Sequence, residues 1–245
     1  AVQNSLLIVG SIIILTVIFG LAISILINRT FPGRGIVRVL LISPFFVMPS
    51  VNAVLWINMI LDPVLGLNGL AIEGLNQILK DLQDLPLLGR FFSLWPVFEP
   101  ISFRATQTSS YAVIIMVTWQ WTPFTTLIIK AGLDSVDPTP IEAATVDGAN
   151  RFQIFRHVTF PSIAPIFTVA LLFRTLDAFK AFDIIYIVTR GGPGGSTYVL
   201  GYNIWKTAFY QNQLGLAGAM SVIMIVIATI LAFILVRIMK GLLER

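Results

Sequence analysis

Apolar residues run through the chain in five long blocks, at about residues 5–27, 36–61, 111–133, 162–188 and 216–236, with polar residues gathered between them. A bilayer core of about 30 Å is crossed by a helix of about 20 apolar residues. Each block meets that length, so the pattern predicts an all-α fold: a polytopic transmembrane helix bundle forming a single domain over residues 1–245. Pro44 and Pro49 interrupt the second block, where each withholds a backbone donor and predicts a kink. Between the second and third blocks, residues 62–110 are mixed in character. Leu67, Leu70, Leu75, Ile78, Leu79 and Leu82 recur at helical spacing opposite Glu73, Lys80, Asp81 and Asp84, which predicts an amphipathic helix along the membrane surface or against a span. Phe91, Phe92, Trp95 and Phe98 then fit an interfacial aromatic belt.

Lysine and arginine near span ends set orientation, because loops rich in them stay on the cytoplasmic side. Arg29, Arg34 and Arg38 follow the first block, Lys130, Arg151 and Arg156 surround the loop after the third, and Arg237, Lys240 and Arg245 follow the fifth. Alternating spans place all three clusters on one face. That face is expected to be cytoplasmic, with Ala1 outside and a further amino-terminal span expected upstream. The first block is not a signal peptide, since its basic residues follow rather than precede it and no small-residue cleavage site is present.

The segment after the third block, residues 139–161, carries helix punctuation. Thr139, Pro140 and Glu142 read as a capping box opening a helix, and Gly148 suits the left-handed position that ends one. Asn150 with Gln153 opens a second helix, which Pro161 is expected to end. Ala143 and Ala144 permit close backbone approach, and Phe155 is an apolar knob. Glu142, Ala143, Ala144, Asp147, Gly148, Ala149, Phe155 and Pro161 together resemble the EAA loop of the permease subunits of binding-protein-dependent ABC importers, sugar type. Phe160 departs from that pattern, which more often has Leu before the proline. The resemblance implies the fold of type I ABC importer permeases, in a bacterial or archaeal plasma membrane. It further implies that this loop, through Glu142, Ala143, Ala144, Asp147, Gly148, Phe155 and Pro161, docks onto a dimer of cytoplasmic ATPase subunits, which bind the ATP. A second homologous permease subunit, an extracytoplasmic solute-binding protein and a carbohydrate or polyol substrate are the other implied partners. The external segment 62–110 is either a cap on the bundle or a docking surface for that binding protein.

The fourth block holds Arg174, Asp177, Lys180 and Asp183 at successive steps of three. Each charge costs about 2.5–3.5 kcal/mol at mid-membrane on insertion scales, so they are expected to pair or to face water. Arg174 and Asp177, deepest in the block, either line a polar path or form a structural ion pair. Counted from the matched loop, the resemblance to maltose-type permeases implies that Arg174, Ala178 and Ala181 occupy sugar-site positions, with alanine replacing a polar residue at two of them. By the same resemblance, the stretch VTWQW of the third block supplies Val117, Gln120 and Trp121 to the path, and Phe45 is an aromatic lining position in the second.

Composition narrows the alternatives. The chain is 56% hydrophobic and 11% charged, too apolar for a soluble domain of this length. A net charge of +4 is accounted for by loop lysines and arginines and implies no nucleic-acid partner. Cysteine is absent, which excludes disulfides, thiolate metal sites and cysteine nucleophiles. Residues 189–197, TRGGPGGST, form an outer turn and not a phosphate loop, for they lack the GK[ST] ending. The single histidine, His157, lies in the loop, and no metal spacing or nucleophile elbow appears, so a transport subunit rather than an enzyme is expected. A secondary transporter or channel subunit with an intramembrane charged path is the remaining alternative, against which the chain shows no inverted repeat.

Overall fold

The computed structural model of the protein describes residues 1–28, 31–83, 98–99, 102–103, 105 and 108–243. The expectations for Arg29, Asp84, Phe91, Phe92, Trp95 and Arg245 lie outside these residues. Eleven helices follow in order among the described residues: α1 (Val2–Asn28), α2 (Arg34–Phe46), α3 (Pro49–Leu55), α4 (Leu67–Gln83), α5 (Ser109–Asp134), α6 (Pro138–Val146), α7 (Arg151–Ile154), α8 (Phe160–Ala178), α9 (Asp183–Val188), α10 (Leu200–Trp205) and α11 (Leu214–Leu243). The described residues contain no strand. Wider π-type turns extend α3 over Trp56–Ile60, join α7 to α8 over Phe155–Thr159, and extend α10 over Lys206–Tyr210. Among the described residues, four stretches are long and apolar enough to cross a membrane, or five if the bent pair α2–α3 counts as one.

The second block is not a single kinked span. Its two halves meet at 102°. Met48 precedes Pro49 and is held extended (φ −57°, ψ 139°), as the steric clash with a following proline requires, and Val47 is extended too. Pro44, inside α2, is tolerated without a break.

The fourth block differs from expectation at both ends. Pro161 does not stop a helix: the segment Arg151–Val188 runs through it. The π-type turn before it adds one residue, with the Phe160 N–H donating back to the Phe155 carbonyl, so that Pro161 falls in the first turn of α8 where a missing donor costs little. After Ala178 the helix instead breaks into a tight turn, with Lys180 N–H donating to the Asp177 carbonyl (2.9 Å) before α9 begins. The stack of charges at spacing three therefore holds only from Arg174 to Asp177.

Helix α5 is the hub of the bundle, packed along α1 and also against α2, α8 and α9. The closest approach is at Gly20 of α1, where an added Cβ would stand 2.8 Å from Thr125 Cγ2. Ile12, Ala112, Val113 and Met116 are fully enclosed in the half of the core nearer residues 189–199, and Ile129, Ile163 and Ala164 in the half nearer residues 136–160. The outer turn is pinned to α1, with Asn4 Nδ2 donating to the Gly195 carbonyl (2.7 Å) and Leu200 N–H to Ser5 Oγ (2.6 Å). Helix α4 forms where the amphipathic pattern predicts one.

Candidate functional site

Burial of charge defines the site. Arg174, on α8, is 1% exposed, and its Nη1 donates to Asp177 Oδ2 at 3.1 Å, while the Asp177 side chain remains 21% exposed. The guanidinium carbon lies 4.9 Å from the centre of the Trp121 ring, within cation–π range. Arg174 Nε and Nη2 have no partner among the described residues. These groups border a cavity of about 270 Å³ whose walls include Val117, Gln120, Trp121, Arg174, Asp177 and Ala181. Six of the eight residues expected on the path thus meet around one space. Lys180 and Asp183 also line it, so two cationic and two anionic side chains border the cavity.

The other two expected positions lie outside it. Phe45 sits one layer back, its ring edge-on to Trp121 (5.5 Å) and stacked on Phe124 (5.2 Å), where it supports the wall. Ala178 is not on the cavity wall but is buried against Val9, Phe179 and Ala228, so the expectation that it lines the path is corrected. It shares a face with Arg174, one turn earlier, but its short methyl is taken up in packing against α1 and α11 and does not reach the cavity.

Gln120 does more than line the cavity. Its Nε2 donates to the Val47 carbonyl (2.6 Å), which the α2–α3 bend has released from helical pairing. Asn52 Nδ2 donates in turn to Gln120 Oε1 (3.0 Å) and to the Met116 carbonyl (3.3 Å). Asn52 is fully buried, and it is the main residue the sequence reading missed. An asparagine in an apolar block carries no periodic signal, and only the bend brings this one opposite Gln120.

The second element is the elbow. Asp137, not Thr139, caps α6: its Oδ1 accepts from the Thr139 N–H (2.9 Å), and Pro138 takes the first helical position. The proposed Thr139–Glu142 capping box is therefore absent, and Glu142 is exposed. The Thr139 backbone N–H, and then its hydroxyl, hold the Asp137 carboxyl below its usual pKa. At the far end, Ala149 N–H donates to the Ala144 carbonyl (3.0 Å) and Gly148 N–H to the Thr145 carbonyl (3.1 Å), with Gly148 at φ 80°. This is a Schellman closure, which needs a left-handed residue at Gly148. Asn150 and Gln153 make the reciprocal capping box of α7, with bonds of 3.0 and 2.8 Å.

Glu142, Ala143, Asp147 and Gly148 are exposed along this elbow, and Ala144 is half-buried. Phe155 is not the outward knob: it is half-buried, its ring 5.9 Å from that of Phe160. Val146 (88% exposed) and Phe152 (68% exposed) are the apolar side chains offered outward. Pro161 is exposed on the first turn of α8.

The sequence matches the family described as binding-protein-dependent transport system inner membrane component over residues 5–245. The trehalose/maltose transport system permease protein MalF of Thermococcus litoralis is 32% identical over 231 residues, covering 93% of this chain and 69% of that protein. The trehalose transport system permease protein SugA of Mycobacterium tuberculosis is 31% identical over 221 residues, covering 90% of this chain and 63% of its own length. The chain thus spans about two thirds of the length of these curated relatives. Among solved structures, a chain of a bacterial alginate ABC transporter, in complex with an alginate pentasaccharide-bound periplasmic protein, superposes with a TM-score of 0.79 at 20% identity, covering 100% of this chain and 78% of that one. A chain of the MetNI methionine ABC transporter gives 0.63 at 15% identity, covering 98% and 93%. These two likenesses establish the fold as that of ABC transporter permeases. With nearly its whole length matched, the chain belongs to the family of inner membrane components of binding-protein-dependent transport systems.

Proposed function

We propose that this subunit forms half of the translocation path of an ATP-driven importer for a neutral carbohydrate or polyol, and that the elbow 139–161 couples it to a cytoplasmic ATPase dimer. The observation that carries the reading is the cavity bordered by Trp121, Gln120 and the Arg174–Asp177 pair. An aromatic face beside hydrogen-bonding groups suits a solute that is apolar on its ring faces and hydroxylated at its edge. Charge balance argues for neutrality. Arg174 is already matched by Asp177, and Lys180 and Asp183 add one charge of each sign, so no uncompensated cation remains to attract an anionic solute.

For coupling, the support is the shape and exposure of the elbow. Two capped helices meet at a Schellman corner with Val146 and Phe152 outward, which is the geometry of a short lever whose apolar knobs enter a groove on another protein. Names of relatives point the same way, toward trehalose, maltose and starch degradation products. A second permease subunit and an extracytoplasmic solute-binding protein complete the assembly. A secondary transporter or channel is not favoured for a member of this family. The test is to purify the subunit with its co-expressed partners, reconstitute it, and measure ATP hydrolysis with solute-binding protein over sugars, polyols and sugar phosphates. Stimulation by a neutral sugar or polyol is expected. Stimulation by sugar phosphates alone, or failure to copurify with an ATPase, would overturn the reading.

A further inference from the structure

Away from the polar cavity, a long cleft runs between α1, α2 and α5. Its deep part is an apolar hollow of about 490 Å³ walled by residues such as Phe19, Leu40, Ile115 and Trp119. Its shallow part, of about 340 Å³, is bordered by Arg38, Lys130 and Asp134. Leu41, Pro123 and Thr126 belong to both walls, so the two spaces adjoin. The basic end lies where α5 ends at Asp134, just before the elbow. Lys130 is 4% exposed and paired with the exposed carboxylate of Asp134, which leaves Arg38 as the cation facing the shallow space. Arg34 lies one turn before Arg38 on the same face of α2, and its buried Nε has no partner among the described residues.

Dimensions and charge together describe an amphiphile. From Lys130 to Trp119 the α5 axis rises about 16 Å, close to the depth of one leaflet's hydrocarbon, about 15 Å. Among the described residues, Arg38 and Lys130 on the wall of the shallow space, with Arg34 one turn away on α2, stand against the carboxylate of Asp134, which leaves this end of the cleft net positive. Phe19, Leu40, Ile115 and Trp119 are exposed, so the hollow opens to the surroundings of the bundle. We propose that this cleft holds an anionic phospholipid of the leaflet on the elbow side, its phosphate at Arg34 and Arg38 and one acyl chain in the apolar hollow between α1 and α5. Basic pockets between helices at this level select anionic headgroups, and each arginine or lysine near the surface contributes about fivefold to the preference. The α2–α3 bend makes the hollow by carrying Trp56 away from α2 to its far wall.

Trp56 and Trp119 both line the hollow, their rings 5.7 Å apart, and serve as reporters. The assembled transporter is reconstituted with phosphatidylglycerol or phosphatidylcholine brominated on the acyl chains. The fluorescence lost in the parent but not in a Trp56→Phe, Trp119→Phe variant isolates quenching at the cleft. Brominated phosphatidylglycerol is expected to quench with at least fivefold higher apparent affinity than brominated phosphatidylcholine. Arg38→Gln is expected to lower that preference about fivefold, Arg38→Lys to preserve it, and Arg34→Gln with Arg38→Gln to abolish it. Equal quenching by the two lipids would overturn the proposal, as would no quenching by either, which would mean that protein covers the cleft. A preference unchanged in Arg38→Gln would likewise remove the headgroup site.

Discussion

Removing either partner of the Arg174–Asp177 pair has very different consequences, because the two side chains are buried to different degrees. Arg174→Met deletes a charge-assisted hydrogen bond of about 1.5–3 kcal/mol and a desolvated cation–π contact of up to about 2 kcal/mol. It also removes two buried nitrogens, Nε and Nη2, that lack partners among the described residues; an unsatisfied buried donor costs about 1–3 kcal/mol. These contributions nearly cancel, and Asp177, part-exposed on the cavity wall, keeps access to water. Asp177→Leu is the opposite case. It strands a guanidinium that is 1% exposed, at about 3–5 kcal/mol, equivalent to two or more orders of magnitude in the folded population. The expected order of membrane abundance and detergent thermal stability is therefore parent, close to Arg174→Met, far above Asp177→Leu. Arg174→Leu combined with Asp177→Leu should recover most of what Asp177→Leu loses. Equal loss in Arg174→Met and Asp177→Leu would refute the argument, and a stable Asp177→Leu would show that cavity water solvates the guanidinium by itself.

Other outcomes follow from single contacts. Gly148→Val has open space around its Cβ but a φ of 80°, so a strain of about 1–2 kcal/mol is confined to the elbow; the subunit should accumulate while solute-stimulated ATP hydrolysis no longer drives uptake, and normal coupling would remove the corner from the mechanism. Gly20→Ala should lower abundance by forcing α1 from α5, and Thr125→Ala should restore it in part by deleting the Cγ2 that an alanine at 20 would strike; no loss in the single variant would contradict that close approach. Asp137 has a depressed pKa in the folded state, so its cap is in full force at neutral pH and is lost only as pH falls through that lowered value. The protection factor of the Thr139 amide, its exchange rate relative to the unstructured rate at the same pH, should fall there, while in Asp137→Asn that protection factor should stay constant across the same window. For topology, cysteines placed at Asn150 and Gly194 in this cysteine-free chain should be, respectively, shielded from and labelled by an impermeant thiol reagent in intact cells; labelling of Asn150 would reverse the orientation.

Much of the fold was legible because a membrane helix must satisfy its backbone internally and be apolar along its length, which writes a long signal into the chain. The α1, α5 and α11 blocks carry it plainly. The second block does not reveal a 102° bend, since a proline marks where a helix is weakened and not how far its halves diverge. Asp137–Pro138 and Thr139–Pro140 offer the same cap signature, and the earlier pair prevails by starting the helix sooner. Phe152 was overlooked in favour of Phe155 because the outward face depends on helical phase, and the π-type turn Phe155–Thr159 resets that phase without any residue type announcing it. The charges of the fourth block were legible from cost alone, whereas the break after Ala178 separates them: Arg174 pairs with Asp177, and Lys180 and Asp183 lie beyond the helix end.

The most direct test of the central claim, that the cavity beside Arg174 carries the solute, is uptake of a labelled transported sugar by the reconstituted importer bearing Trp121→Ala. The ring borders the cavity and is only half-buried, so the variant should assemble and keep basal ATP hydrolysis while uptake falls by about one to two orders of magnitude, from loss of a stacking contact and its hydrogen-bonding surroundings worth about 1–3 kcal/mol. Uptake at the parent rate, with the sugar still dependent on ATP, would place the solute path elsewhere in the bundle.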